Sequence, residues 1–290
     1  MRRVSSMLLG LSLAVCCACV AAAQEKSSMP KVLQITREFV KPGKAGMAHD
    51  KTESLFVDAM TRAKWPTHYL GMTSLSGKSR ALFFTWYDSF DAWEKDSAAV
   101  DKNPTLSAAL ERAAVADGEL LDSVDQGVFF RREEMSLRTL TDLSHQRFLE
   151  ITMFHVRPGK DKEWTEVVKM AKAGYEKGVP DSHWAMFEQL YGGDGGVYIL
   201  LTSHKSLAEI DHALMEDKQF EAAMGEEGMK KLNELYGESV ESSQNQLFAF
   251  NAHMSYVQDE WIKSDPDFWK PKAAAASTAK APAKEKTPTP

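Results

Sequence analysis

Four histidines in the second half of the chain, His155, His183, His204 and His253, each fall on or beside a strand-like segment. Imidazole takes or gives protons near neutral pH and is also the commonest metal ligand. None of the four has a second ligand at close spacing. No metal site is therefore expected, and one functional histidine, His253 or His204, is the sharper reading. Strand alternation adds polar candidates, because successive side chains point to opposite faces. Near the end of the chain, Phe248, Phe250, Ala252 and Met254 make an apolar row, with Ala249, Asn251, His253 and Ser255 opposite. If the apolar rows pack on helices, Asn251 and His253 face an internal lumen. Arg132 and Glu134 then hold the matching places in the first half, and the first strands add Gln34, Thr36, Glu38, Glu150 and Thr152. Buried polar groups need partners. Two outcomes stay open: an ion-pair network joining Arg132 to Glu134, Glu38 or Glu150, or a pocket in which these groups meet a bound molecule and water. Trp86, Tyr87 and Trp93 either line a flat hydrophobic ligand or belong to the core.

No phosphate-cradling glycine loop, nucleophile elbow or zincin helix occurs, so no catalytic residue is assigned and no cofactor is implied. The start, Met1-Arg2-Arg3 followed by an apolar run to Val20 and Ala21-Ala22-Ala23, has the layout of a secretory signal over residues 1–23. Cys16, Cys17 and Cys19 keep a lipoprotein signal as the alternative. Export to the periplasm or the exterior is expected, with no membrane span. All three cysteines lie in that segment, so the remaining chain would have neither disulfides nor thiolate chemistry. It would carry 33 basic against 41 acidic residues, a formal charge of −8. An acidic product without a basic cluster argues against nucleic acid and anionic membrane surfaces as partners. A small hydrophobic molecule is the expected one.

The elements that must position these residues come in two similar sets. Leu33–Lys44 matches Leu149–Lys160 at an offset of 116 residues, each ending in Val-Lys/Arg-Pro-Gly-Lys, and the same offset carries Ala81–Thr85 onto Val197–Leu201. Val128–Ser136 matches Leu247–Ser255 at an offset of 119. Each set opens with a strand, followed by a helix carrying Leu55, Phe56, Ala59 and Met60 or Trp164, Val167, Val168 and Ala171. Two strands joined at Ser76–Ser79 or Gly192–Gly196 come next. A second helical region begins near Ser89 or Ser206, breaks at Asn103-Pro104 in the first set, and leads to a last strand. The expected layout is a first repeat over 31–137, a linker over 138–146, a second repeat over 147–257, and an aromatic strap with a tail over 258–290. This is an α+β chain of two ferredoxin-like βαββαβ repeats, forming an intramolecular dimeric α/β barrel with one pseudo-dimer per chain.

Val40-Lys41-Pro42-Gly43-Lys44, Val156-Arg157-Pro158-Gly159-Lys160 and the passage Thr85–Glu94, with its counterpart Thr202–Ile210, resemble the dimeric α/β-barrel superfamily. The likeness is to its antibiotic-biosynthesis-monooxygenase-like and NIPSNAP-like branches. The resemblance implies a hydrophobic pocket used for cofactor-free oxygenation, haem breakdown, isomerisation or ligand binding. Haem-degrading members carry an Asn on the first strand, where this chain has Thr36 and Thr152. Their Trp position falls near Trp86, and a helical His is represented by His212. The function expected is an exported small-molecule-binding barrel, oxygenase-like on a hydrophobic substrate. The alternative is a non-enzymatic envelope interaction module, or a structural one with a packed lumen.

Overall fold

The computed structural model describes residues 29–270, so the expected signal and the Ala/Lys/Pro-rich tail lie outside the described residues. The first half runs β1 (Val32–Val40), α1 (Met47–Ala63), β2 (Tyr69–Ser74), β3 (Arg80–Tyr87), α2 (Phe90–Asp101), α3 (Pro104–Gly118) and β4 (Leu121–Arg131). The second runs β5 (Phe148–Val156), α4 (Asp161–Gly178), β6 (Ala185–Tyr191), β7 (Val197–His204), α5 (Leu207–Ser239) and β8 (Val240–Phe250). Two short helices, α6 (Asp259–Ser264) and α7 (Pro266–Trp269), follow.

Local chemistry sets the helix starts. The Ser89 hydroxyl accepts from the Ala92 amide at 3.1 Å, and the Asn103 side chain accepts from the Leu106 amide at 3.1 Å, with Pro104 in the first helical turn where no N–H is needed. Gly225, at φ 68° and ψ 170°, kinks α5.

All strand pairs are antiparallel, and the eight strands close in the order β1-β3-β2-β8-β5-β7-β6-β4. Closure leaves no free edge. The halves meet through β2 with β8 and β4 with β6. Gly71 of β2 permits a close approach there: a Cβ at that position would stand 2.3 Å from the Met254 carbonyl oxygen. The Gly71 amide instead donates to the Ser255 hydroxyl at 2.9 Å.

The barrel interior is apolar, filled by Leu33, Ile35, Phe84, Phe129, Leu149, Ile151, Phe187 and Phe248 among others. This reverses the expected assignment of strand faces. The Leu33/Ile35 and Leu149/Ile151 rows point inward, while Thr36, Glu38, Glu150 and Thr152 point out toward the helices, and Gln34 shares their row by alternation. The physical reason is that eight strands form a narrow barrel which side chains must fill. The helix-facing side, by contrast, forms a broader layer that can hold polar groups. What remains open inside is about 30 Å³ at one end, roughly the space of one water. Trp86 borders this gap and packs edge-on against Phe84, so it belongs to the core.

The last strand also departs from expectation. β8 stops at Phe250, and Ala252–Met254 form a 3-10 turn, so alternation ends before Asn251 and His253. Asn251 donates to Asp50 at 2.8 Å and caps the His253 amide at 3.0 Å, whereas His253 is exposed. Arg132 and Glu134 likewise lie past the end of β4, outside the lumen. Arg132 bonds Glu134 at 2.8 Å and Glu188 at 2.6 Å, an ion-pair network at the barrel rim. The same end is closed by Trp269, 5% exposed, which packs beside Phe250 and whose indole N–H donates to the Ser144 carbonyl at 2.8 Å. No helix among the described residues is long and apolar enough to cross a membrane.

Candidate functional site

Between the outer face of β5–β8 and the helices α4 and α5 lies a cavity of about 610 Å³. That size suits a ligand of a few fused rings. β5 places Glu150, Thr152 and Phe154 on its floor, β7 adds Leu200, Thr202 and His204, α4 supplies Trp164, Val168 and Tyr175, and α5 supplies Leu214, Phe220 and Tyr236. Strand alternation keeps Leu200, Thr202 and His204 on this face, with Leu201 turned into the barrel core and Ser203 beside the gap at its end. Helical spacing brings Trp164, Val168, Ala171 and Tyr175 onto one side of α4.

The walls are largely apolar, and Glu150, Thr202 and His204 lie at the end where β5 starts and β7 stops. His204, 5% exposed, stands with Nε2 3.7 Å from Glu150 Oε2. His204 Nε2 and the indole nitrogen of Trp164 are both buried without a protein partner. Such orphaned groups cost stability unless something bonds them. Tyr175 stacks on Phe220, and burial, reinforced by the charges of Asp217 and Glu216, pushes its phenol up, so it stays a hydrogen-bond donor at neutral pH. A polar funnel adjoins the same end, bordered by His145, His183, His204 and His212 with Asp181 and Glu216. A ligand entering there would pass His204 first.

Of the candidates read from sequence, the fold therefore brings Glu150, Thr152 and His204 together. It sends Trp86 to the core, Arg132 and Glu134 to the rim, and Asn251 and His253 to the loop after β8. Thr36 and Glu38 reach the equivalent layer of the first half, where a second constellation was missed in the sequence. His49 and Glu53, one turn apart on α1, and Asp117 near the end of α3 surround Glu38 of β1. The His49 Nε2–H lies 3.1 Å from Glu38, 3.3 Å from Asp117 and 3.8 Å from Glu53. These four residues could hold a metal ion, since their ligand atoms all lie within 4.8 Å of one another. The visible signal was the His-x-x-x-Glu spacing of α1, which puts two potential ligands on one helix face.

Electrostatics in this cluster are strong. Burial pulls the His49 imidazole down, but hydrogen bonds to Asp117 and Glu38 and the charges of Asp117 and Glu53 push it up to about 10. Burial first, then the charges of Glu38 and Asp117, push Glu53 up to about 9. Glu38 is also raised, chiefly by burial. Both numbered shifts act on folding in the same direction. The folded state keeps a proton on Glu53 between about pH 4.5 and 9 and on His49 between about 6.5 and 10, where the unfolded chain would release it. Stability in chelator should therefore fall as pH rises from about 4.5 toward 10, most steeply between about 6.5 and 9 where both groups contribute. Glu53→Gln, neutral at every pH, should flatten that fall in thermal melts taken across the series; an unchanged slope would remove Glu53 from the account.

No protein-family model matches the chain, and no curated protein matches it in sequence. Solved structures do. A "putative monooxygenase" of Fusobacterium nucleatum subsp. nucleatum superimposes with a TM-score of 0.50 at 11% identity, covering 77% of this chain and 93% of that one. A "putative monooxygenase" of Lactobacillus acidophilus gives 0.48 at 8% identity, over 77% and 94%. A heme-binding protein of Thermus thermophilus gives 0.44 at 11%, over 82% and 96%. At these identities the first of the three carries the conclusion, and what it establishes is a shared fold, an α+β architecture around an eight-stranded antiparallel sheet.

Proposed function

We propose that this is an exported protein that binds a hydrophobic small molecule in the second-half pocket and acts on it in an oxygenase-like way. In this reading the barrel arose from two tandem ferredoxin-like repeats of the antibiotic-biosynthesis-monooxygenase-like type. The observation that carries the proposal is the ligand-sized, largely apolar cavity whose end at the close of β7 is marked by a buried nitrogen without a protein partner, His204 Nε2, with a second such nitrogen, Trp164 Nε1, toward the opposite end over Phe154 and Tyr198. A planar phenol or an activated ring ketone would pack against the walls and give His204 Nε2 an oxygen to bond.

His204 can take a proton from an acidic C–H or O–H of such a ligand, and Glu150 beside it steadies the imidazolium that forms. The carbanion then reacts with dioxygen. At an activated CH2 the balance is one O2 consumed, one oxygen kept as the new carbonyl, and the other released as water with the two hydrogens. The fold likeness to structures described as monooxygenases agrees with this chemistry.

The test is ligand binding followed by oxygen uptake. The full chain should retain polycyclic phenols or ring ketones in native mass spectrometry, and binding should quench the fluorescence that Trp164→Phe removes. His204→Ala should lower oxygen uptake by about 100-fold or more, the usual size of a general-base contribution, while binding falls far less. No retention of any compound in such a panel would refute the pocket as a ligand site. Binding without oxygen uptake would leave a carrier and remove the enzymatic half.

A further inference from the structure

The first-half cluster is separate from that pocket, and three observations beyond its composition point to an occupant. Glu38, His49, Glu53 and Asp117 are all buried, and among the described residues the only ion-pair partner of each carboxylate is His49. Three carboxylates thus share one imidazole, with no lysine or arginine to balance them. Glu53, 3% exposed, leaves its Oε1 without a hydrogen-bond partner, and the nearby Tyr69 hydroxyl is buried and likewise unpartnered. Glu38, Glu53 and Tyr69 also border a cavity of about 180 Å³, with Thr36, Thr85, Phe56, Met60 and Phe83 completing its lining. The cluster is therefore closed by protein on one side and open to this cavity on the other.

We propose that Glu38, His49, Glu53 and Asp117 form a mononuclear site for a divalent first-row transition-metal ion, with a coordination position open toward the cavity. Ligand atoms on a sphere of about 2.1 Å radius lie at most about 4.2 Å apart, so the observed spread needs only a small contraction to close on an ion. One imidazole with three carboxylates suits Mn(II), Fe(II), Co(II) or Zn(II). Calcium takes six to eight oxygens, and magnesium keeps its waters rather than a nitrogen. Thr52 donates to Asp117 at 2.5 Å and fixes that carboxylate, the kind of outer contact that orients a ligand. The second half does not reproduce the site: at the offsets of the repeat, Glu38 and Asp117 correspond to Phe154 and Tyr236. One ion per chain is the resulting stoichiometry.

The test uses the full chain, stripped with a chelator and titrated separately with Co(II), Mn(II), Zn(II), Ca(II) and Mg(II). One equivalent of Co(II) should bind and develop visible d–d bands of a nitrogen- and carboxylate-ligated ion, and Zn(II) should displace it. Ca(II) and Mg(II) should compete weakly. Glu53→Gln and Asp117→Asn, both close in shape to the native residues, should each weaken Co(II) binding by at least about tenfold, since loss of even an outer-contact group costs that much. Glu150→Gln, in the other half, should leave the affinity unchanged. Absence of saturable Co(II) binding by the wild-type chain would overturn the proposal. So would one equivalent bound with equal affinity by the wild type and the Glu53→Gln/Asp117→Asn double variant, because the ion would then sit elsewhere.

Discussion

Trp269→Ala is expected to destabilise the barrel by about 3–5 kcal/mol, the usual cost of truncating a fully packed Trp. Trp269 is the terminal plug of the lumen. Its ring lies 5.3 Å from Trp261, 4.7 Å from Phe268 and 6.5 Å from Phe250, so it joins the closing segment to the last strand of the barrel. The segment is held by a second attachment, since Arg147 pairs with Asp265 and lies 4.0 Å over the Phe268 ring. Removing the indole would open one end of a core that otherwise holds about 30 Å³ of free space, and would strand the Ser144 carbonyl that accepts its N–H. Urea unfolding should show a lower midpoint with little change in slope, because the same surface is exposed on unfolding. Trp269→Phe should recover most of the packing but not the hydrogen bond. A midpoint unchanged in Trp269→Ala would mean that α6 and α7 merely rest on the barrel.

The same plug explains part of what the sequence revealed and what it hid. Turn and cap chemistry was legible, because it is local: Ser89 and Asn103-Pro104 start the helices expected there, and Gly77 and Gly192 adopt the positive φ that the hairpin turns require. Strand faces were not. Alternation shows that Leu33 and Ile35 oppose Gln34 and Thr36, yet it cannot say which row enters the barrel when helices cover the outside as well. Assigning the apolar row to the helices put Glu150 and Thr152 in the lumen, whereas they lie on the outer face with His204. The three share one side of neighbouring strands, a relation that alternation alone could have shown. His253 and Asn251 fail for another reason: a 3-10 turn at Ala252–Met254 ends the alternation from which their facing was deduced. The first-half cluster was half visible. His49 and Glu53 share a helix face at readable spacing, but Asp117 joins them only through the packing of α3 on α1, a long-range contact with no sequence signature.

That cluster sets the second large effect. His49→Leu in metal-free protein is expected to cost about 3–5 kcal/mol at pH 8, the range for breaking a buried ion pair from one side. Leucine fills much of the ring's volume, so little of the loss would come from a cavity. The loss is electrostatic: Glu38, Glu53 and Asp117 would keep their burial while losing the one cation they share. It follows that the cost must depend on pH. Lowering the pH toward 5 lets the remaining carboxylates take protons, and a protonated carboxyl needs no counter-charge. The gap between wild type and His49→Leu should therefore narrow steadily from pH 8 to pH 5 in urea titrations. Adding Asp117→Asn to His49→Leu should recover part of the loss, because it removes a carboxylate left without its partner, whereas Glu53, raised to about 9, already holds its proton. A penalty that is equal at both pH values, or a double variant no more stable than the single one, would show that His49 acts through packing. The second half offers the comparison within the same chain, since at the positions corresponding to Glu38 and Asp117 it carries Phe154 and Tyr236. There the layer between sheet and helices is held by aromatic contacts, Phe154 on Trp164 and Trp164 on Tyr198, which no pH change in this range would disturb.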